Sequence, residues 1–266
     1  MLQSGHGTEK KNYNLIAEER LPKTVEKGSI SCSQGTETYV YPVWDGEPAY
    51  EMMPAVWPVT EDSIYHDSYM VRKRAYWALL AGAFGHTYGH ASVWCTATWK
   101  DKNVICKYTW DEAIHSEGAS QMKILRDFMQ SYPLHEMEPA VNRLLRQKNE
   151  GDRLLFHEEA LASKTLHLML VYFAADTRET IDVTGVFEKK LYGAWFDPKD
   201  GVVSEAGPLL IERTADNTDI IEIQNDSADG KDRVLILSDD PAKLAVPSQR
   251  YGEEAEEKEI QKVFEW

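Results

Sequence analysis

Cysteine is scarce in this chain. Three residues, Cys32, Cys95 and Cys106, lie far apart with no CxxC spacing, which excludes a disulfide framework and leaves a single pair, such as Cys95 with Cys106, open. Metal-ligand spacing is equally absent, so no metal is expected, and no cofactor. Positive charge is short as well. Lys and Arg number 29 against 44 Asp and Glu, a formal net charge of −15, which argues against nucleic acid or an anionic membrane as partner, because both need a basic face. The opening MLQSGH carries neither a charged leader nor an apolar signal core and reads at once as the end of a strand.

What the chain does have is apolar and aromatic mass. A hydrophobic share of 42%, with eight Trp and thirteen Tyr in 266 residues, predicts a soluble globular protein with a substantial core, in one large or two medium domains. Aromatic surface beside acidic residues suits a neutral, stackable ligand such as a sugar, although aromatics serve cores as readily.

Chemistry concentrates in YVYPVWDGEPAYE, Tyr39 to Glu51. Val43 and Trp44 end a short strand, Pro42 stands at its start or edge, and Asp45-Gly46 breaks it. Alternation puts Val43, Asp45 and Glu47 on one face. If that face points into a barrel, Glu47 stands at the carboxyl end of the strand, where barrel enzymes keep their catalytic groups. Upstream, a short helix is predicted around Tyr13 to Leu21, followed by an exposed loop from Pro22 to Thr38. Downstream, Asp67 or Ser68 caps a helix from Tyr69 to about Ala83, with Met70, Trp77, Leu80 and Phe84 as its buried stripe and Arg72, Lys73 and Arg74 as its solvated face. Gly82 and Gly85 end it, and His86 to Tyr88 reads as a short buried strand. Strand, helix and strand in succession predict a βαβ unit with parallel strands.

A helical turn at Trp110 to Ile114, capped by Thr109, precedes a helix over Gly118 to Ser131 that Pro133 stops. Beyond Pro139 the pattern becomes turn-punctuated strands: Leu166–Phe173, Thr180–Val183, Lys190–Phe196, Leu209–Thr214, Asp219–Gln224 and Arg233–Leu237, with FDPKDG as a turn. Such strands without helices predict a β-sandwich. The organisation expected is therefore α/β plus β: residues 1–139 as part of a barrel, 140–247 as a sandwich, and 248–266 as an acidic tail.

LQSGH (Leu2 to His6), DGEPAYE, RAYWALLAGAFGHTYG (Arg74 to Gly89) and WDEAIHSEGASQMKILRDF (Trp110 to Phe128) together resemble the later part of the apiosidase-like glycoside hydrolase family. LVYFAADTRETIDVTGVFEKKLYGAWFDPKDG (Leu170 to Gly201) is similar to the small β-sandwich that follows such barrels, sometimes labelled collagen-binding. The resemblance implies a (β/α)8 TIM-type barrel in its last strands and helices, a substrate among plant cell-wall polysaccharides, a retaining two-carboxylate mechanism, and a periplasmic or extracellular location. It carries the nucleophile onto Glu47 and leaves Glu51 as the fallback. The partner acid/base would be an Asp on an earlier strand upstream of Met1, so the isolated chain is expected to be incomplete and to need the missing part of the barrel as partner.

Substrate contacts are then expected from Gln3, His6, Asp45, Tyr50, Glu51, His86, Tyr88 and His90. Each has a plainer alternative: Asp45 capping the turn, Glu51 in a rim salt bridge, the histidines bonded to backbone, the tyrosines packed in the core. Two further functions stay open. One is a non-catalytic carbohydrate-binding or interaction module, with Tyr192 and Trp195 exposed on the sandwich. The other is an inactive truncated gene product.

Overall fold

A computed structural model describes residues 1–7, 11–21, 23–26, 36–150, 156–188, 190–227 and 232–245, with backbone alone at 23–26, 36–39 and 150. Cys32 and the acidic tail from Ser248 lie outside the described residues.

Helix α1 (Asn12–Glu19) falls where the sequence places it. The predicted loop after it instead contains two strands, β1 (Lys23–Glu26) and β2 (Thr36–Tyr39), paired antiparallel with Lys23 opposite Tyr39. Next come β3 (Trp44–Asp45), α2 (Ser68–Leu80) and β4 (Gly85–His86). They form the expected parallel unit, Trp44 opposite Gly85 and Asp45 opposite His86, and Leu2 bridges Asp45 in parallel on the other side. Asp67 caps α2 by accepting from the Met70 amide at 2.8 Å. Gly82, at φ +96°, turns the chain away, in the left-handed conformation that favours glycine after a helix.

Three helices follow: α3 (Ala91–Trp94), α4 (Trp110–Ala113) and α5 (Glu117–Gln130). Thr109 and Glu112 form a reciprocal capping box on α4. The chain then runs through β5 (Glu138–Pro139), α6 (Leu145–Glu150), β6 (Glu159–Ser163), β7 (Leu168–Phe173), β8 (Arg178–Asp182), β9 (Tyr192–Phe196), β10 (Val203–Glu205), β11 (Glu212–Arg213), β12 (Asp219–Gln224) and β13 (Arg233–Ser238). Strands β5, β6 and β10 were not foreseen. All the pairings among them are antiparallel, giving a six-stranded sheet in the order β10-β9-β13-β7-β6-β5 and a three-stranded sheet in the order β11-β12-β8.

Strand β7, LMLVYF, is buried at every position because both of its faces are covered. Leu168, Leu170 and Tyr172 join Tyr76, Phe128 and Phe196 in a core built with α2 and α5. Met169, Val171 and Phe173 point the other way, into a second core with Ile181, Ile221 and Ile223 of the three-stranded sheet. Tyr76 stacks on Tyr172 at 5.0 Å and Phe128 on Phe196 at 4.3 Å, so rings from helix and strand interleave. Each large side chain so buried contributes about 1.5–3 kcal/mol.

The largest departure from expectation is α2. Arg72, Lys73 and Arg74 are not solvated: they are 2%, 2% and 0% exposed, while Phe84 of the predicted apolar stripe is 61% exposed. The helix is covered on all sides, and each cation has a designated environment. Arg72 forks onto Asp232, Nε to Oδ2 at 2.9 Å and Nη2 to Oδ1 at 2.6 Å, and donates to Gln121 of α5 at 2.5 Å. The Tyr172 hydroxyl also donates to Asp232, at 3.0 Å. Lys73 lies over the rings of Tyr69 and Trp77, at 4.8 and 5.0 Å, and burial pulls its ammonium down to about 8. Arg74 donates to the Gly7 carbonyl at 2.7 Å and faces Asp45.

Removing Asp232 would strand Arg72 as an uncompensated buried charge. Asp232→Ala is expected to lower stability by about 3–5 kcal/mol, read as a shifted urea midpoint, whereas Arg213→Ala at an exposed pair should change it by less than about 1 kcal/mol. Equal effects would contradict the reading of Arg72–Asp232 as the buried tie.

Candidate active site

The three carboxylates of DGEPAYE meet three different environments. Asp45 closes β3 and is fully buried. Its oxygens accept from the Ser4 amide at 3.1 Å, the Ser4 hydroxyl at 2.5 Å, the Asn12 side chain at 3.3 Å and the Glu47 amide at 3.3 Å. Asn12 in turn donates to the Arg74 carbonyl at 2.9 Å. Asp45 thus pins the first segment, α1 and α2 to the strand end. It does not face solvent, and its bonds orient these neighbouring segments.

Glu47, two residues on, is the partly open one, with 36% of its side chain exposed. Gln3 Nε2 donates to its Oε2 at 2.6 Å, and His6 Nε2 stands 3.4 Å from its Oε1. The other ring nitrogen of His6 accepts from the Tyr50 amide at 3.3 Å, so the proton sits on Nε2, aimed at the carboxylate. Burial lowers the His6 imidazole, against the pull of Glu47, and keeps it in that neutral form. Tyr50 packs edge-on against His6 at 4.7 Å. His66, itself buried, donates from Nε2 to the His6 carbonyl at 2.5 Å and fixes the segment from behind. Gln3, His6 and Tyr50 therefore gather at Glu47, with His66 behind them.

Glu51 is 5% exposed, and no salt bridge to it occurs among the described residues. It accepts instead from the Tyr88 hydroxyl at 2.6 Å, the Ser116 hydroxyl at 3.0 Å and the Gly118 amide at 3.2 Å, the last at the start of α5. Tyr88 is accordingly a clamp on Glu51. His90 is buried and caps α3 by accepting from the Ser92 amide at 3.0 Å, and the Glu51–His90 parallel bridge extends the strand array. Glu51, Tyr88 and His90 thus build the wall beside the site. His86, on β4 opposite Asp45, keeps Nδ1 buried without a hydrogen-bond partner among the described residues. Burial pushes its imidazole down to about 4.

Sequence reasoning missed Ser4, Asn12, His66, Ser116 and Gly118. Only Gly118 carried a signal, as a glycine in the first turn of a helix, where it costs helix stability unless something needs the space. A cleft of about 450 Å³ lined by Arg20, Leu79, Phe84, Met129 and His135, among others, shares no residue with the site.

Two tests follow from this geometry. A Cβ on Gly118 would lie 2.3 Å from Glu51 Oε2, so Gly118→Ala should destabilise by about 1–3 kcal/mol through overpacking, although Ala in a helix ordinarily gains about 1 kcal/mol over Gly. A raised melting temperature would refute the close packing. The depressed His86 value has a definite sign: as pH falls from about 6.5 toward about 4, the unfolded chain takes up a proton that the folded one refuses. Stability is then lost across that window. His86→Gln should flatten the urea midpoint against pH there, and an unchanged slope would reject the burial of this ring.

The family description "Apiosidase-like, catalytic domain" matches residues 1–136, and "Putative collagen-binding domain of a collagenase" matches residues 146–238. A solved structure titled "Glycoside hydrolase" is similar at 26% identity and a TM-score of 0.68, over 86% of this chain and 46% of its own. A glycoside hydrolase family 5 structure from Bacteroides vulgatus ATCC 8482 is similar at 25% identity and a TM-score of 0.70, over 89% of this chain and 49% of its own. The chain thus spans less than half the length of either. No curated protein matches it. With the catalytic-domain match running over half of its residues and through Gln3, His6, Glu47, Tyr50 and Tyr88, the chain belongs to the apiosidase-like glycoside hydrolase family.

Proposed function

We propose that the chain supplies the nucleophile side of a retaining glycosidase acting on side chains of plant cell-wall polysaccharide. The observation that carries this reading is the contrast among the three carboxylates: Asp45 and Glu51 are sequestered by protein donors, while Glu47 is held by Gln3 and His6 with part of its carboxylate open. A nucleophile must be oriented and reachable, and two donors on a partly exposed carboxylate satisfy both. Glu47 attacks the anomeric carbon, and the glycosyl-enzyme ester is then hydrolysed by water.

That mechanism also needs a carboxylic acid about 5–5.5 Å away to protonate the departing oxygen. Neither Asp45 nor Glu51 is placed to do so, since each is bound by several donors and buried. The acid/base is accordingly proposed to be an Asp supplied from outside this sequence. In the same reading the Leu2 segment, β3 and β4 are the last parallel strands of a (β/α)8 barrel, with residues 140–247 as a β-sandwich behind it. The disulfide between Cys95 and Cys106 suits an oxidising, periplasmic or extracellular setting. Against the binding-module alternative stands Trp195, which is 5% exposed and packs edge-on against Phe173, while Tyr192 is partly buried.

In whichever longer or assembled form cleaves an aryl glycoside, Glu47→Gln should lower kcat on the order of 10⁴- to 10⁶-fold and leave the melting temperature unchanged. Full turnover in that variant would sink the assignment, and turnover by the purified 266-residue protein alone would sink the external acid.

A further inference from the structure

Residues 246–266 leave the described fold at Ala245, and the surroundings of that exit are apolar. The helical turn Pro241–Leu244 follows β13 and packs Leu244 against the core shared by α2, α5 and β7. Ala245, exposed, then lies on the rim of a pocket of about 220 Å³ lined by Tyr132, Pro133, Leu166, Leu168 and Ala242, among others. The pocket straddles a seam. Tyr132 follows α5, Leu168 opens β7, and the Tyr132 hydroxyl donates to the Lys243 carbonyl at 3.4 Å.

The sequence beyond Ala245 falls into two parts. Residues 246–259 carry Glu253, Glu254, Glu256, Glu257 and Glu259, and residues 260–266, IQKVFEW, bring Ile260, Val263, Phe264 and Trp266 together. Ile260, Val263 and Phe264 have the i, i+3, i+4 spacing of a one-sided apolar face, the pattern by which amphipathic segments enter apolar grooves. Positive charge stands at the pocket mouth to meet the glutamates. Lys164 is exposed in the turn before Leu166 and has no carboxylate partner among the described residues, and Lys243 donates from Nζ to the Leu166 carbonyl at 2.5 Å. The nearby carboxylates are engaged, Asp239 by His167 at 3.0 Å and Asp240 by the Ala242 amide at 3.0 Å. Residues 246–259 can span up to about 45 Å when extended, enough to turn back on their own start. Such a tether holds residues 260–266 at an effective concentration of about 1 mM. A dissociation constant of only about 0.1 mM then keeps them docked about nine-tenths of the time.

We propose that this pocket is the docking site for the chain's own residues 260–266, with the Phe264 ring seated against Tyr132, Pro133 and Leu168 and the glutamates of 246–259 drawn toward Lys164 and Lys243. The docked segment is a strap. One end continues from β13 and the other crosses the end of α5, the helix whose start holds the Glu51 carboxylate. The antiparallel sheet thereby gains a second hold on α5, at the end opposite to the candidate active site. The strap lies past residue 238, beyond either family match, so the matched domains do not include it. The same segment of a second copy would suit the pocket chemically, but at micromolar protein it is about a thousandfold more dilute than the tethered one.

The test uses the full 266-residue protein with a benzophenone side chain at position 264, irradiated at micromolar concentration and mapped by mass spectrometry. Cross-links within one chain to residues 131–133, 166–168 or 242–245 are expected. Cross-links between chains would assign the pocket to a second copy, and cross-links elsewhere, the cleft beside Phe84 included, would place the segment on another surface; either overturns the proposal, as does a yield no higher than in denaturant. Hydrogen exchange reads the same docking without the probe. Amides in 131–134 and 242–245 should exchange up to about tenfold more slowly in the parent than in Phe264→Ser/Trp266→Ser, and the difference should shrink as salt rises. Equal exchange in the two proteins would overturn docking. Both substitutions lie outside the described residues, and unchanged exchange in β7 and β13 would confirm that the fold is intact. Lys164→Glu should lower the cross-link yield, and an unchanged yield would overturn the role given to charge. None of these readouts involves hydrolysis of a glycoside, so the strap and the catalytic reading stand or fall separately.

Discussion

The fork between Arg72 and Asp232 is the interaction on which the arrangement depends. An ion pair out of water costs several kcal/mol per ion in desolvation before any attraction is counted, so the helix that carries Arg72 can be covered only where the sheet delivers a carboxylate. Asp232 does so just before β13, with Tyr172 and Gln121 satisfying what remains. The consequence is positional. The fork fixes the rotation of α2 against β7 and α5, and with rotation fixed, Arg74 can point only toward Gly7 and Asp45. A solvated Arg-Lys-Arg face would have left that rotation to apolar contacts, which tolerate sliding.

Charge at the site is handled by the same logic in the opposite sign. A buried carboxylate needs donors that replace its hydration, and Asp45 and Glu51 receive such donors from several elements each. Both are thereby committed to structure: Asp45 joins the Leu2 segment to α1, and Glu51 joins the strand array to the start of α5. Glu47 receives, among the described residues, the Gln3 amide and the His6 ring, and 36% of its side chain stays exposed. The division of labour within seven residues follows from where donors are delivered, not from the identity of the acids.

Elements whose signals are local were legible in the sequence. Asp67 and Thr109 cap helices within three residues of themselves, and the βαβ unit around α2 follows from pattern and turn residues. Glu47, Gln3, His6 and Tyr50 were named together because their motifs adjoin strand ends. What stayed hidden depended on partners distant in the chain. Asp232 lies 160 residues from Arg72, and Ser116 lies 65 from Glu51, so the charge run on α2 reads from sequence as solvated and nothing local marks Glu51 as a buried anchor. Strand β6, EALAS, lacks the β-branched and aromatic residues that announce a strand, and β5 and β10, at two and three residues, are too short to show alternation.

The parallel array is short. Strands β3 and β4 share two residue pairs, Leu2 bridges Asp45 and Glu51 bridges His90, and the Gly5 amide donates to the Glu47 carbonyl at 2.9 Å. Further support comes from Asp45, whose bonds reach Ser4 and Asn12, through Asn12 to the Arg74 carbonyl, and along α2 to the Arg72 fork in the sheet. The antiparallel half of the molecule is then more than an appendage. By anchoring α2 it provides a fixed reference for the short strands, and residues 91–116 join them through the Ala91 amide on the Glu51 carbonyl at 2.9 Å and the Ser116 hydroxyl on the Glu51 carboxylate at 3.0 Å.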